Sequence, residues 1–250
     1  SLSGKITPTG SRGFSSSDIT PASVRKLNKK AKNQGADAII YDINSGGGAV
    51  VASKEIKREI ESVEVPTVCR FRDIVASGGY LIALGCDRIV SDSASLTGSI
   101  GVKSSYLEFS GLMNKLGVEY VNISTGNYKE VGSPYRNISD SEKQLLLEKA
   151  ERVDQEFTSM IQTERNLSES QMEEIETAQP FLGYRAEELG LVDQLGGRKV
   201  AVKAAENITG KNLKTFKVKQ KTSIDLLSIL TADSALGNFL STDYPLKATY

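Results

Sequence analysis

The segment DIVASGGYLIA, residues 73–83, sets one serine, Ser77, against two glycines where an apolar helical run begins. Small neighbours of this kind let a carbonyl carbon approach a hydroxyl, so Ser77 is a candidate nucleophile. A serine hydroxyl attacks only when a base takes its proton, and the usual base is histidine. The chain has no histidine among its 250 residues. The candidate bases are then Lys, Asp, Glu or Tyr. At pH 7 only about one free lysine amine in 2,500 is neutral, given a reference pKa of about 10.4. Burial in apolar surroundings disfavours the ammonium, and a lysine brought to roughly pKa 7–8 is an effective base for serine. Most lysines here, including Lys26, Lys29, Lys30, Lys32, Lys54 and Lys57, lie in charge-rich helical stretches and read as solvated. Lys129 differs. It follows an apolar run, sits in the small-residue turn STGNYKE and precedes VGSPY.

Glycine loops supply the other requirement of such an attack, backbone N–H groups placed where negative charge develops. NSGGG (44–48) directly follows a strand-like run. Glycines between a strand and a helix serve close approach to a phosphate or an oxyanion, although the loop also reads as a plain tight turn. It has neither the G-x-G-x-x-G of a dinucleotide site nor the G-K-[ST] ending of a P-loop. Ser77 falls at or near a helix N-terminus, where free amides and the helix dipole favour negative charge. The N–H of Gly78 is then a natural donor to an oxyanion formed on attack by Ser77 Oγ. The competing reading of Ser77 is a simple N-cap. A third small-residue segment, SLTGSIGV, spans 95–102.

The elements that must position these residues alternate in period. ADAIIYDI (36–43), PTVCRF (66–71), DRIVSD (87–92) and EYVNIST (119–125) read as short strands. PASVRKLNKKAKNQG (21–35), VVASKEIKREIESV, ASGGYLIALGC and YLEFSGLMNKLG read as helices, the first ending at a glycine. Such a βαβα succession predicts an α/β fold with a mostly parallel sheet. From Ser139 the pattern turns helical, opening on a long helix over SDSEKQLLLEKAERVDQEFTSMIQTERNLS and running to a strand-like KTFKVK (214–219). No repeat or low-complexity linker divides the chain. One domain is expected over residues 1–220, followed by a tail, 221–250, without a clear period.

Composition excludes several classes. With 31 basic and 31 acidic residues there is no field to attract nucleic acid, and the absence of tryptophan leaves little for base stacking. Cys69 and Cys86 lie in apolar segments and read as small buried hydrophobes; with two cysteines and no histidine a zinc site is not expected. No stretch reaches the roughly 20 apolar residues of a membrane span, and no signal peptide opens the chain. Its abrupt opening, SLSGKITPTG, is the kind of start left when an upstream anchor is trimmed away. N-x-[ST] triplets at Asn122, Asn137, Asn166 and Asn207 carry little weight.

Taken together and in order, NSGGG, VASGGY, LTGSIGV, STGNYKEVGSPYR and GYRAEELGLVDQLGG (183–197) resemble the signal peptide peptidase A family, Ser/Lys-dyad peptidases of the ClpP/crotonase superfamily. The resemblance implies a ClpP/crotonase-like α/β fold, a mostly parallel sheet layered with helices in ββα superhelical units, and a helical C-terminal part. It makes Ser77 the nucleophile and Lys129, 52 positions later, the general base. Ser99 matches the serine that orients the lysine, and the oxyanion donors fall on Gly47 and Gly78. The family's first loop usually reads N-S-P-G-G, whereas Gly46 stands in the proline position here. No cofactor is implied. The implied substrates are cleaved signal peptides and other unfolded hydrophobic segments near a membrane. Also implied are a homo-oligomeric ring or dome and a membrane-associated location on the extracytoplasmic side.

Three other readings share the fold. A crotonase-type acyl-CoA enzyme needs a nucleotide pocket and commonly a carboxylate for proton work, and CoA-thioester binding would reveal it. A Ser/Lys protease of the stomatin-partner type shares the serine segment but fits LTGSIGV and GLVDQLGG less well. An inactive assembly scaffold is opposed by the presence of both Ser77 and Lys129.

Overall fold

The computed structural model describes residues 1–10 and 18–218, and Ser1–Lys217 forms one compact unit. The expected tail, 221–250, lies outside the described residues. The strands are β1 (Leu2–Ser3), β2 (Ile39–Ser45), β3 (Thr67–Ala76), β4 (Arg88–Ser91), β5 (Leu96–Gly98), β6 (Pro180–Leu182) and β7 (Gln194–Leu195). They form one sheet in the order β1-β2-β3-β4-β7, with β5 joined to β3 and β6 to β5. Every pairing is parallel except β5 with β6. The mostly parallel α/β architecture expected from the alternating pattern is therefore the one present.

β3 organises the site because it is long enough to serve two neighbours in turn. Its first part, Val68–Arg70, pairs with β4, and its last part, Ile74–Ala76, pairs with β5. On its other side β2 runs alongside until the register shifts between Ile43 and Ser45. Asn44 fills that irregularity, its Oδ1 accepting the Ile74 N–H at 3.0 Å. A ladder bond lost from the backbone is thus replaced by a side chain, as buried polar groups require.

The helices are α1 (Pro21–Asn33), α2 (Val50–Glu61), α3 (Gly78–Ala83), α4 (Ser110–Lys115), α5 (Asp140–Arg165), α6 (Glu169–Ile175), α7 (Gly183–Glu188) and α8 (Arg198–Thr209). α1 starts where Thr20 and Ser23 form a capping box and Pro21 takes the first turn. α5 starts at a second box, Ser139 with Glu142. One core joins Tyr41, Ile43 and Phe71 of the sheet to Ile56 and Ile60 of α2, Tyr80 and Ile82 of α3 and Ile161 of α5, all nearly or fully buried. Each such aliphatic or aromatic side chain contributes roughly 1.5–3 kcal/mol when withdrawn from water. On the opposite face α8 presents Ala201, Ala204 and Ala205 to Val68 and Val90. Small residues there let the helix approach the sheet closely.

Four local expectations are corrected. Residues 119–125 have strand-like composition but form no strand, and Ile123 is 96% exposed. β-branched residues adopt a strand only where another strand pairs with them, and none does here among the described residues. The helix read over 106–117 shortens to α4. Lys214–Val218 forms no strand. Cys69 and Cys86 are not separate hydrophobes but a disulfide, their Cα atoms 5.7 Å apart, which ties β3 to the end of α3.

Candidate active site

β3 delivers Ser77 and β5 delivers Ser99 from adjacent positions of one ladder. Ala76 is in register with Gly98, and the Ser77 N–H donates to the Gly98 carbonyl at 2.9 Å. The Ser99 N–H donates onward to the Gln179 carbonyl at 3.0 Å. Both serines have positive φ, 52° at Ser77 and 47° at Ser99. That region is costly for a residue with a side chain and persists only where its surroundings enforce it. Ser77, with ψ −125°, makes a sharp strand-to-helix turn and occupies the N-cap position of α3, yet its side chain makes no capping hydrogen bond. The N-cap reading thus gives way to that of a displayed hydroxyl, since strained turns of this kind present nucleophiles at the ends of sheets.

The NSGGG loop faces this turn, and its residues are held by specific contacts. Ser45 Oγ accepts the Gly47 N–H at 3.2 Å. Gly47 has φ 97°, and a Cβ there would come within 2.7 Å of the Gly78 nitrogen. Ile6 straps the loop from outside, donating its N–H to the Gly47 carbonyl at 3.1 Å and accepting the Ala49 N–H at 2.9 Å. A Cβ on Gly48 would meet the Ile6 carbonyl oxygen at 2.0 Å, so only glycine fits. Gly78 is the first residue of α3, and its amide has no intrahelical acceptor. The Gly47 amide is engaged by Ser45, whereas Gly48 is exposed and borders the cleft beside Ser77 and Gly78.

That cleft is narrow, with about 30 Å³ of free space. Leu81 and Val102 line it together with Val153, Phe157 and Met160 of α5. The helical spacing of these three α5 residues is visible in the sequence, but the surface they cover is not. Lys129 lies elsewhere, exposed in a turn where its N–H donates to the Gly126 carbonyl at 3.3 Å. It does not line the cleft. Lys54 does, and its side chain is only 19% exposed, which corrects the reading of it as a solvated helical lysine. Its ammonium reaches Glu156 Oε1 at 2.5 Å and holds that carboxyl below the usual carboxylate range.

The late GLVD segment pins α3 from behind. The Tyr80 hydroxyl donates to the Leu191 carbonyl at 2.8 Å, and burial pushes its pKa well up. Asp193 accepts the Ile89 N–H at 2.6 Å and pairs with Arg165 at 2.9 Å. No group of Cys, Asp or Glu among the described residues is arranged to hold a metal ion.

An Enterococcus faecium protein provisionally named signal peptide peptidase SppA is 31% identical over 256 residues, covering 100% of this chain and 72% of that protein. A provisionally named protease of Methanocaldococcus jannaschii is 31% identical over 187 residues, covering 74% of this chain. The chain spans only 60% of that archaeal protein's length. The chloroplastic serine protease SPPA of Arabidopsis thaliana is 31% identical over 73% of this chain and 28% of its own. Among solved structures, a ClpP1 mutant from Listeria monocytogenes superimposes with a TM-score of 0.49 at 17% identity, over 72% of this chain and 85% of that one. Nothing about activity follows from a likeness at that level. The family match itself runs over residues 59–214 and takes in Ser77, Ser99 and Lys129: the chain belongs to peptidase family S49.

Proposed function

We propose that this chain is a serine endopeptidase in which Ser77 is the nucleophile and Lys129 the general base. The observation that carries the reading is the Ser77 turn, where a hydroxyl on a strained strand-to-helix turn is free of capping and faces a glycine loop. Lys129 lies outside the cleft in this chain, so the mechanism needs its exposed turn carried to Ser77; there its amine accepts the Ser77 proton as Oγ attacks a peptide carbonyl, and the oxyanion rests on backbone amides. The lysine then protonates the leaving amine, and water activated by the same amine releases the acyl-enzyme. One oxyanion donor is Gly78. The other is Gly48 rather than the Gly47 of the sequence reading, because Ser45 takes up the Gly47 amide while Gly48 borders the cleft. Ser99, one residue past the Gly98 that binds Ser77, orients the lysine.

The substrates are signal-peptide remnants and other unfolded apolar segments. A narrow cleft lined by Leu81, Phe157 and Met160 supports a preference for small apolar side chains. The Cys69–Cys86 disulfide supports an oxidising, extracytoplasmic location. No helix among the described residues is long and apolar enough to cross a membrane. The relatives' names agree with a protease of this type.

Lys54 motivates a second reading of the base, because it lines the cleft and Lys129 does not. Its pairing with Glu156 speaks against it, since a neighbouring carboxylate favours the ammonium over the free amine. Hydrolysis of a fluorogenic peptide with a small apolar P1 residue decides the matter. Ser77→Ala and Lys129→Ala are expected to abolish turnover with the fold intact, while Lys54→Ala retains it. Loss at Lys54→Ala with Lys129→Ala active would move the base to Lys54, and an active Ser77→Ala would end the reading.

A further inference from the structure

α3 has six residues and carries the proposed nucleophile and its adjoining donor at its first turn. A helix that short does not sustain itself in water, and the positive φ of Ser77 must be enforced from outside. Three ties do so. The Tyr80 hydroxyl is bonded to Leu191, and the Tyr80 ring meets Phe71 of β3 edge-on at 6.2 Å. The third tie, the Cys69–Cys86 disulfide, is covalent. Cys69 lies eight residues before Ser77, and Cys86, just past α3, lies nine after it. The bond therefore closes a loop with the nucleophile at its middle, pinning the incoming strand and the outgoing helix to each other.

The two sulfurs differ in access. Cys69 is fully buried in the sheet. Cys86 is half-buried and lines an open depression with Gly85, Asp87, Glu61 and Glu164. A reductant arriving from solvent thus meets Cys86 before Cys69.

We propose that the Cys69–Cys86 disulfide positions the Ser77 turn for attack, and that its reduction by a dithiol turns hydrolysis down while the sheet stays folded. This rests on the reading of Ser77 as the nucleophile. In the chemistry, one thiolate of the dithiol attacks Cys86 Sγ, forming a mixed disulfide and expelling Cys69 Sγ as a thiolate that takes up a proton. The second thiol of the reductant then displaces Cys86, leaving two protein thiols and a cyclic disulfide. Two electrons and two protons pass from the dithiol to the protein. With the covalent tie gone and only the Tyr80 contacts and the Gly98 ladder bond left, the turn relaxes toward ordinary backbone angles, and a small displacement of Oγ is enough to lose near-attack geometry.

The test uses the whole oxidised chain, dithiothreitol as the probe, maleimide labelling to count thiols, circular dichroism to follow the fold, and the fluorogenic peptide. On reduction, two thiols are expected to appear with the dichroism unchanged, and kcat to fall about tenfold or more with KM little altered. Reoxidation restores the rate. A Cys69→Ala, Cys86→Ala double variant has the same lowered kcat and no response to dithiothreitol. A bond that serves only stability would lower the thermal midpoint and leave kcat alone, and that result overturns the proposal. Full turnover with both thiols free overturns it too, as does a bond that opens only when the chain unfolds. If the double variant does not fold, reduction of the native chain decides. A Ser77→Ala chain that still hydrolyses the peptide would instead sink the nucleophile reading, an outcome that cysteine changes cannot imitate.

Discussion

At the scale of single residues, the site depends on where a Cβ cannot be. Gly47 and Gly46 are neighbours in NSGGG with opposite demands. A Cβ on Gly47 would press on the Gly78 nitrogen at 2.7 Å and on the Ala76 carbonyl at 3.0 Å, from a φ of 97°. A Cβ on Gly46 meets nothing closer than a flexible Ile74 methyl at 3.6 Å. Gly47→Ala is therefore expected to lower kcat about 100-fold or more, the order seen when one oxyanion donor is lost, while Gly46→Ala stays near the native rate. Equal rates for the two variants would show that the loop does not shape the oxyanion site. Reading the sequence alone isolates NSGGG but not the division of labour within it. That division depends on Ser45 Oγ taking one amide and on Ile6, some forty residues upstream, bracing the loop from outside.

At the scale of elements, β2 and β3 are legible, because ADAIIYDI and PTVCRF are short runs dominated by apolar and β-branched residues. EYVNIST departs from its strand-like reading. Its composition is equally strand-like, but nothing in the described chain pairs with it. The disulfide was illegible because it depends on α3 folding back along β3, a juxtaposition no local pattern announces. The turn that bears Lys129 is anchored by Arg136, which donates to the Glu130 carbonyl at 3.0 Å and to Glu142 Oε2 at 2.9 Å. Arg136, followed by the Ser139 N–H, holds the Glu142 carboxyl at about pKa 2. A depressed carboxylate contributes stability above its unfolded pKa and loses it as pH falls toward the folded value. The anchor is thus complete at neutral pH and dissolves between about pH 4.5 and 2. Arg136→Ala is expected to reproduce that loss at neutral pH, lowering kcat several-fold and speeding amide exchange around residues 126–132. An unchanged kcat would show that the Lys129 turn needs no such support.

At the scale of the whole molecule, exposed apolar residues gather in one region. Leu107, Leu116, Val121 and Ile123 are 73%, 69%, 71% and 96% exposed. A chain that keeps so much apolar surface wet has a use for it. A homo-oligomer covering this region is the expected arrangement, and light scattering should give a mass several times 27.0 kDa. Leu116→Glu with Ile123→Glu should return the chain to one copy, and a native chain already at that mass would remove the argument. The disposition of β3 has another consequence. Ser77 and Ser99 owe their alignment to paired rungs of a parallel ladder, Ala76 with Gly98, not to the length of the loops that join them. Strands slide past one another only in whole residues of about 3.3 Å, and each single step turns every side chain to the other face. The distance between the two hydroxyl-bearing residues is therefore quantised. Insertions in the connecting loop leave it untouched, and when it does fail, it fails as a step and not as a slope.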